Sequence, residues 1–316
     1  MLASLSRVFA IAMNTYREAV RARVLFGLLA AALAASAYSL VIAAMSIRQG
    51  MRIVADIGSA SISAFAVLVA IILGATSLYR ELELKTVFPI LTRRLRRHEY
   101  VVGKYLGILG VLFAFVAIDG ASVLCIVAIQ SEVNVPLTLA TAGSLLGVLG
   151  FALWRAKLAR VFVVLPWSIL AFATMAIVSA SAGAERQVVL VSACLTAAEI
   201  AIVTAIAMLF SSFSSPFLTA IFTVMVFLVG RSADTLSNLP ARLFGPIGGI
   251  VRSLGIVVSK IVPNLNVYVP ARPILLGQVP SMSLTSYLLS AWANALLYAG
   301  VLLVLSAIVF RRRDFQ

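Results

Sequence analysis

Two acids stand inside runs that are otherwise apolar, Asp119 and Glu199, and one short stretch, 80–104, packs charge densely. A carboxylate at the centre of a membrane helix costs about 2.5–3.5 kcal/mol on insertion scales, so each acid must face protein or a wet cavity. Such groups serve either as polar stations on a substrate path or as hydrogen-bonded glue between helices, and both roles stay open for this pair. At a rise of about 1.5 Å per residue, Asp119 lies roughly 22 Å above Lys104 and Glu199 roughly 16 Å below Val188. They sit at different depths, so a shared-proton aspartyl dyad is not indicated.

The charged stretch reads RELELKTVFPILTRRLRRHEYVVGK. Its basic residues are Arg80, Lys85, Arg93, Arg94, Arg96, Arg97 and Lys104, its acids are Glu81, Glu83 and Glu99, and it holds the chain's single histidine, His98. So much charge must project from a membrane, where a soluble partner can grip it. The pattern predicts a cytoplasmic helix with Glu81 and Glu83 in its first turn, favoured by the helix dipole, and Glu81 and Lys85 as an i,i+4 pair. Pro89 ends or bends that helix, and a second helix is expected from about Thr92. Arg93, Arg94, Arg96 and Arg97 crowd the second helix's start, against the dipole. They call for an external anion, either lipid phosphates or acidic groups on a partner; the plainer reading is topology determination alone.

Several chemistries lack their residues. Gly103-Lys104 looks like the tail of a Walker A loop, but no glycine stands five residues before Gly103 and Tyr105 follows where Ser or Thr would hold magnesium. There is no HExxH, no GxSxG and no Cys/His cluster. Hydrolytic or metal catalysis by this chain is not expected. Cys125 and Cys194 fall inside apolar runs and read as small hydrophobes rather than a disulfide or metal pair.

The elements that must carry these residues are membrane helices. Hydrophobic residues make up 62% of the 316, charged residues 11%, and mean hydropathy is +1.10, against about 25% charge in a soluble domain. Apolar runs of spanning length are Val24–Ile47, Ile62–Tyr79, Tyr105–Ile129, Val188–Phe210, the short Pro216–Gly230, and Leu284–Phe310. The region 137–182 holds two further runs, Leu137–Leu153 and Val161–Ala182, parted by the basic turn 154–160. It reads as an extra hairpin, giving eight spans; six spans with a re-entrant or interfacial pair is the alternative. With the N-terminus inside, most of the 25 Lys and Arg residues fall on the cytoplasmic side. The net charge of +14 is thereby accounted for by topology rather than nucleic-acid binding. Eight basic residues, Arg48, Arg52, Arg186, Arg231, Arg242, Arg252, Lys260 and Arg272, fall outside.

Residues 1–23 show apolar positions at helical spacing (Leu2, Leu5, Val8, Ala12, Tyr16, Val20) and predict an amphipathic helix in the inner interface, leading into an uncleaved first span within one transmembrane unit, 24–316. The external segment 231–283 includes a stretch, 247–262, patterned as a short interfacial helix. In the serine turn 211–215 the hydroxyls are expected to cap helix ends, with Pro216 in the first turn of the next helix. Gly103-x-x-x-Gly107 and Gly143-x-x-x-Gly147 permit close helix approach, with ordinary packing as the default.

Four stretches in order resemble the permease subunit of the ABC type-2 exporter superfamily. The sequence 14–25 (NTYREAVRARVL) resembles the family's elbow helix. Tyr79-Arg80-Glu81-Leu82-Glu83 with Thr86, Leu91, Arg97, Tyr100, Gly103 and Lys104 resembles its coupling-helix segment. Leu209–Phe213 resembles its serine turn, and Phe310–Phe315 its C-terminal end; Val262-Pro263-Asn264-Leu265 resembles an external motif of one subgroup. Departures are Lys85 where many members have glycine, Arg94-Leu95 in place of a common Pro-Val, and the added hairpin. The resemblance implies an all-α polytopic membrane protein with a six-span core, an N-terminal elbow helix and a cytoplasmic coupling helix. It implies a second permease copy or homologue and two separate ATPase subunits carrying ATP and magnesium, with no cofactor bound by this chain. Glu81, Glu83, Lys85, Thr86 and Phe88 would contact the ATPase; Arg93, Arg94, Arg96, Arg97 and Lys104 would form the basic cluster at the inner surface; Asp119 and Glu199 would be polar groups on the path. The setting implied is the cytoplasmic membrane of a prokaryote, with both termini cytoplasmic. The rival readings are a secondary transporter and a mechanical subunit acting on an extracytoplasmic partner through 231–283.

Overall fold

The computed structural model describes residues 2–46, 49–83, 97–156, 159–238, 253, 255–257, 259, 262–279 and 282–312. Among these the regular structure is entirely helical: α1 (Leu2–Val20), α2 (Arg23–Ala44), α3 (Gly50–Glu83), α4 (Arg97–Gln130), α5 (Val135–Arg155), α6 (Arg160–Val178), α7 (Ala184–Ser211), α8 (Pro216–Arg231), α9 (Ala233–Ser237), α10 (Arg272–Leu275) and α11 (Leu284–Arg312), with 3-10 turns at Ser179–Ala182 and Leu265–Tyr268. Seven helices are long and apolar enough to cross a membrane, namely α2 to α7 and α11, and the apolar α8 is shorter at 16 residues. The protein is an integral, multi-pass helical membrane protein. Both hairpin helices, α5 and α6, reach spanning length.

Position in the bundle follows from sequence. The spanning window of α7 is 78% buried and that of α5 is 6% buried. Accordingly α7 is apolar and small on nearly every face, and Ala198, Ile202, Ala205 and Met208 are all enclosed. It packs centrally against α3, α4 and α11, while α5 leans on α6 and α4 at the rim. Small residues set the closest crossings: a Cβ on Gly74 of α3 would stand 2.5 Å from Ala207 Cβ of α7. Polar side chains tie the layers together. Tyr105 donates to Ala201 O at 3.0 Å, Trp167 Nε1 to Leu145 O at 2.9 Å, and Trp292 Nε1 to the free thiol of Cys194 at 3.3 Å.

Several expectations change. The span expected at Ile62–Tyr79 is a continuous 34-residue helix that begins at Gly50 and carries Glu81 and Glu83 at its far end. The two acids are thus not in the first turn of a separate helix. The early start was masked by Arg52 and Asp56, which lie an i,i+4 step apart, 3.7 Å between Nε and Oδ2, on the exposed side, while Val54, Ala55 and Ile62 face inward. The serines after α7 do not cap α8: Ser215 at its N-cap makes no side-chain cap bond. Ser211 instead donates across to Ala75 O at 3.1 Å and Ser212 back to Leu209 O at 2.6 Å, because both are fully buried. Of the stretch 247–262 only residues 253, 255–257, 259 and 262 are described, and all of these but 262 are helical; the rest lies outside the described residues.

The N-terminal helix has a definite register. Ser4 and Arg7 meet Glu99, Ile11 lies over Gly103, Ala12 and Thr15 over Gly107, and Tyr16 beside Gly110. Helix α1 therefore runs alongside the first turns of α4 in the same direction. At 34 residues α4 is about 50 Å long, well beyond a hydrocarbon core of about 30 Å, so its N-terminal turns have length to spare for this partner. Gly143 and Gly147 have open space where a Cβ would stand, so of the two glycine pairs only 103/107 brings helices together.

Candidate functional site

The polar centre of the bundle is built by α8 being short. Pro216 starts it and 16 residues carry the chain only about 24 Å, so Arg231 ends the helix inside the bundle rather than beyond it. There its Nη2 donates to Glu199 Oε2 at 3.1 Å and to Ser63 Oγ at 2.9 Å, and lies 3.0 Å from Glu199 Oε1 without hydrogen-bond alignment. Ser63 donates in turn to Oε2 at 3.2 Å. Glu199 is fully buried and Arg231 mostly so. A carboxylate there needs a paired cation and hydrogen bonds to offset lost hydration, and three helices, α3, α7 and α8, each supply one member. The guanidinium also lies 5.4 Å from the Phe227 ring centroid.

The space left above α8 is filled by the chain that follows it. Asp234 in α9 accepts from Asn264 Nδ2 at 2.7 Å and Asn266 Nδ2 at 2.6 Å. Gly230 lets this segment close in, because a Cβ there would stand 2.8 Å from Pro263 O. Leu265 and Tyr268 are buried, Tyr268 donates to Ala291 O at 3.2 Å, and Tyr287 donates to Val267 O at 2.5 Å. Farther along, Arg272 bridges the N-terminal ends of α3 and α7: Nη1 donates to Asp56 Oδ1 at 2.5 Å and Nη2 to Glu185. The segment 262–279 is folded onto the bundle.

Between α3, α7, α8 and this segment lies a cavity of about 700 Å³, within the size range of ligand pockets. Val67, Leu68, Ile71, Val224 and Leu228 give it apolar walls, and Arg52, Asp56, Ser59, Arg231 and Arg272 give it a polar side.

Asp119 occupies a separate place. It is fully buried on α4, where Oδ1 accepts from Ser36 at 3.0 Å and Ser122 at 3.4 Å, and Oδ2 has no hydrogen-bond partner. It shares no partner with Glu199, and neither acid lines the cavity directly. Lys104, grouped with the arginines in the sequence, is 2% exposed; its ammonium donates to Ser77 O and lies 5.3 Å from the Tyr100 ring centroid. It is engaged inside the chain. Arg97 begins α4, and Glu81 and Glu83 end α3, with their side chains outside the description; Lys85, Thr86, Phe88, Arg93, Arg94 and Arg96 lie outside the described residues.

Sequence reasoning missed Arg231, Arg272, Ser63, Asp56 and Glu185, and put both arginines in an external loop. One signal could have found Arg231: it closes an apolar run too short to span. A second missed pair is Arg7 and Glu99. Arg7 Nε and Nη2 hold the two carboxylate oxygens at 3.0 and 2.9 Å, and Ser4 donates at 2.6 Å. This fork stabilises the charged guanidinium and pushes Arg7 up from its ordinary value. Among the described residues no three His, Cys, Asp or Glu side chains gather to hold a metal ion. Comparison with known protein families and with characterised protein sequences gives no match.

Proposed function

We propose that this chain is the membrane-spanning permease subunit of an ATP-driven ABC transporter of the type-2 exporter kind, in the cytoplasmic membrane of a prokaryote, with both termini cytoplasmic. On this reading α2 to α8 and α11 are eight spans, α1 is the elbow helix, and the chain works with a second copy or homologue. Two separate ATPase subunits hold ATP and magnesium, and this chain hydrolyses nothing. The observation that carries the reading is the length of α3 and α4. Each has 34 residues, about 50 Å against a hydrocarbon core of about 30 Å, and they flank the charged stretch whose residues resemble a coupling segment. Helices of that length give a soluble motor two levers: Glu81, Glu83, Lys85, Thr86 and Phe88 would dock on the ATPase, and its closure would tilt both helices. Arg93, Arg94, Arg96 and Arg97 would anchor the moving parts at lipid phosphates.

The test is purification from the native host in mild detergent, with mass spectrometry of co-purifying chains and an ATPase assay. The expected result is a stoichiometric Walker-motif ATPase that is lost in Glu81→Lys/Glu83→Lys; unchanged ATPase association and stimulation in that variant would refute the coupling role.

One observation favours a second reading. The intramembrane pair Glu199–Arg231 is the kind of charge pairing a secondary transporter uses. In that case the chain purifies without an ATPase and moves its substrate on an ion gradient alone.

A further inference from the structure

The cavity between α3, α7 and α8 has the layout of a site for an amphiphile, and its polar side favours one charge. Three guanidinium groups, those of Arg52, Arg231 and Arg272, stand in its wall against a single carboxylate, Asp56. Glu199 and Glu185, which pair with Arg231 and Arg272, stand outside the wall, and the wall's own Asp56 also binds Arg272. Arg52 is held only loosely, 3.7 Å from Asp56 with its side chain half exposed.

Two of the wall residues carry a buried donor atom without a partner. Ser59 Oγ and Arg231 Nε are both enclosed and lack a hydrogen-bond partner. Buried donors without acceptors are rare and costly, and both belong to residues of the cavity wall. Val67, Leu68 and Ile71 on α3 and Val224 and Leu228 on α8 make an apolar stretch of the wall, while Ser63, Ser192, Thr196 and Tyr268 add polar side chains elsewhere. Leu68 and Leu228 are 44% and 57% exposed, so an alkyl chain can enter between the two helices from the bilayer.

We propose that this cavity binds a membrane amphiphile with an anionic headgroup, its oxygens at Arg231 and Arg52 and its alkyl chain between α3 and α8. A carboxylate or phosphate monoester suits the cluster, since an arginine fork binds planar or tetrahedral oxyanions better than a lone hydroxyl. The site is a property of this chain alone and does not depend on an ATPase partner.

The experiment uses the full chain in lipid nanodiscs and a long-chain fatty acid with a mid-chain diazirine, compared with the matching primary alcohol. After photolysis, labelled peptides are mapped by mass spectrometry. The acid should label the peptides containing Leu68 and Leu228, and unlabelled palmitate should compete. Leu68→Trp, which fills the apolar half from an exposed position, should cut this labelling by about tenfold, equivalent to 1.4 kcal/mol; Leu289→Trp on the outer face of α11 should leave it unchanged. Arg52→Gln should lower labelling by the acid and spare that by the alcohol. Uncompeted labelling spread over all lipid-facing helices would overturn the site, and equal labelling by the alcohol would overturn the anionic headgroup. If the chain proves to have no ATPase partner yet labels as expected, the ATP-driven reading falls and the site stands.

Discussion

Arg231, the last residue of a 16-residue helix, sits 3.0 Å from the fully buried Glu199 carboxylate in the middle of the bundle. The pair fixes the depth at which α8 stops and joins it to α7, with Ser63 bringing in α3. A buried pair of this kind contributes little net stability against an apolar replacement, but breaking it leaves a naked charge.

Single substitutions Glu199→Leu and Arg231→Met should therefore each destabilise the protein by about 3–5 kcal/mol. The double variant should cost clearly less than the sum. Thermal unfolding of the four proteins of this cycle in detergent reads the coupling, and simple additivity would mean that the two groups do not interact in the folded state. Glu199→Gln, which keeps an acceptor for Ser63 but leaves Arg231 uncompensated, should fall between wild type and Glu199→Leu.

Asp119 has a different dependence. Its contacts are the hydroxyls of Ser36 and Ser122 rather than a cation. Asp119→Asn retains an acceptor and should be near neutral, whereas Asp119→Leu should cost about 1–3 kcal/mol for the unpaired polar groups it leaves. The same melting assay separates them. A large loss in Asp119→Asn would mean that the negative charge itself is needed.

The two glycine pairs should behave oppositely. A Cβ on Gly107 would meet Ala12 O at 2.5 Å, a backbone atom that cannot move without shifting α1, whereas Gly143 and Gly147 have nothing nearby. Gly107→Ala should destabilise by about 1–3 kcal/mol through overpacking and raise protease cleavage within α1. Gly143→Ala should be neutral or slightly stabilising, because alanine is the better helix former by about 1 kcal/mol. Equal effects at both sites would contradict the packing of α1 on α4.

Arg272 holds the segment 262–279 to the N-terminal ends of α3 and α7 through Asp56 and Glu185. Arg272→Ala should release the outer part of this segment first. Hydrogen exchange should rise around 270–279 and remain low at Leu265 and Tyr268, which are held by burial and by the Tyr268–Ala291 and Tyr287–Val267 bonds. Uniform exchange across the segment would mean that the ion pairs carry no local stability.

Much of the architecture is legible in the sequence because its cause is local. An apolar run of about 20 residues can do little other than form a membrane helix, so α2, α4, α7, α11 and the hairpin α5–α6 follow from composition and length. Helix α1 is visible for a similar reason, in the spacing of Leu5, Val8, Ala12 and Tyr16. What Asp119 and Glu199 bond to was not legible. Hydropathy says that such acids need company but not which helix supplies it. The partners lie far away in the chain, Ser36 for Asp119, Ser63 and Arg231 for Glu199, and their meeting depends on helix rotation and on where α8 ends. The return of 262–279 was hidden for the same reason: its three prolines interrupt it, so it reads as an external loop. Its place in the bundle is set by a gap above a short helix, a glycine at 230 that lets backbone approach, and carboxylates on α3, α7 and α9 that capture Arg272, Asn264 and Asn266. Sequence by itself determined which segments must leave water; only tertiary packing decided which buried charges face each other and where a cavity remains, because those are sums over contacts between residues that have no proximity along the chain.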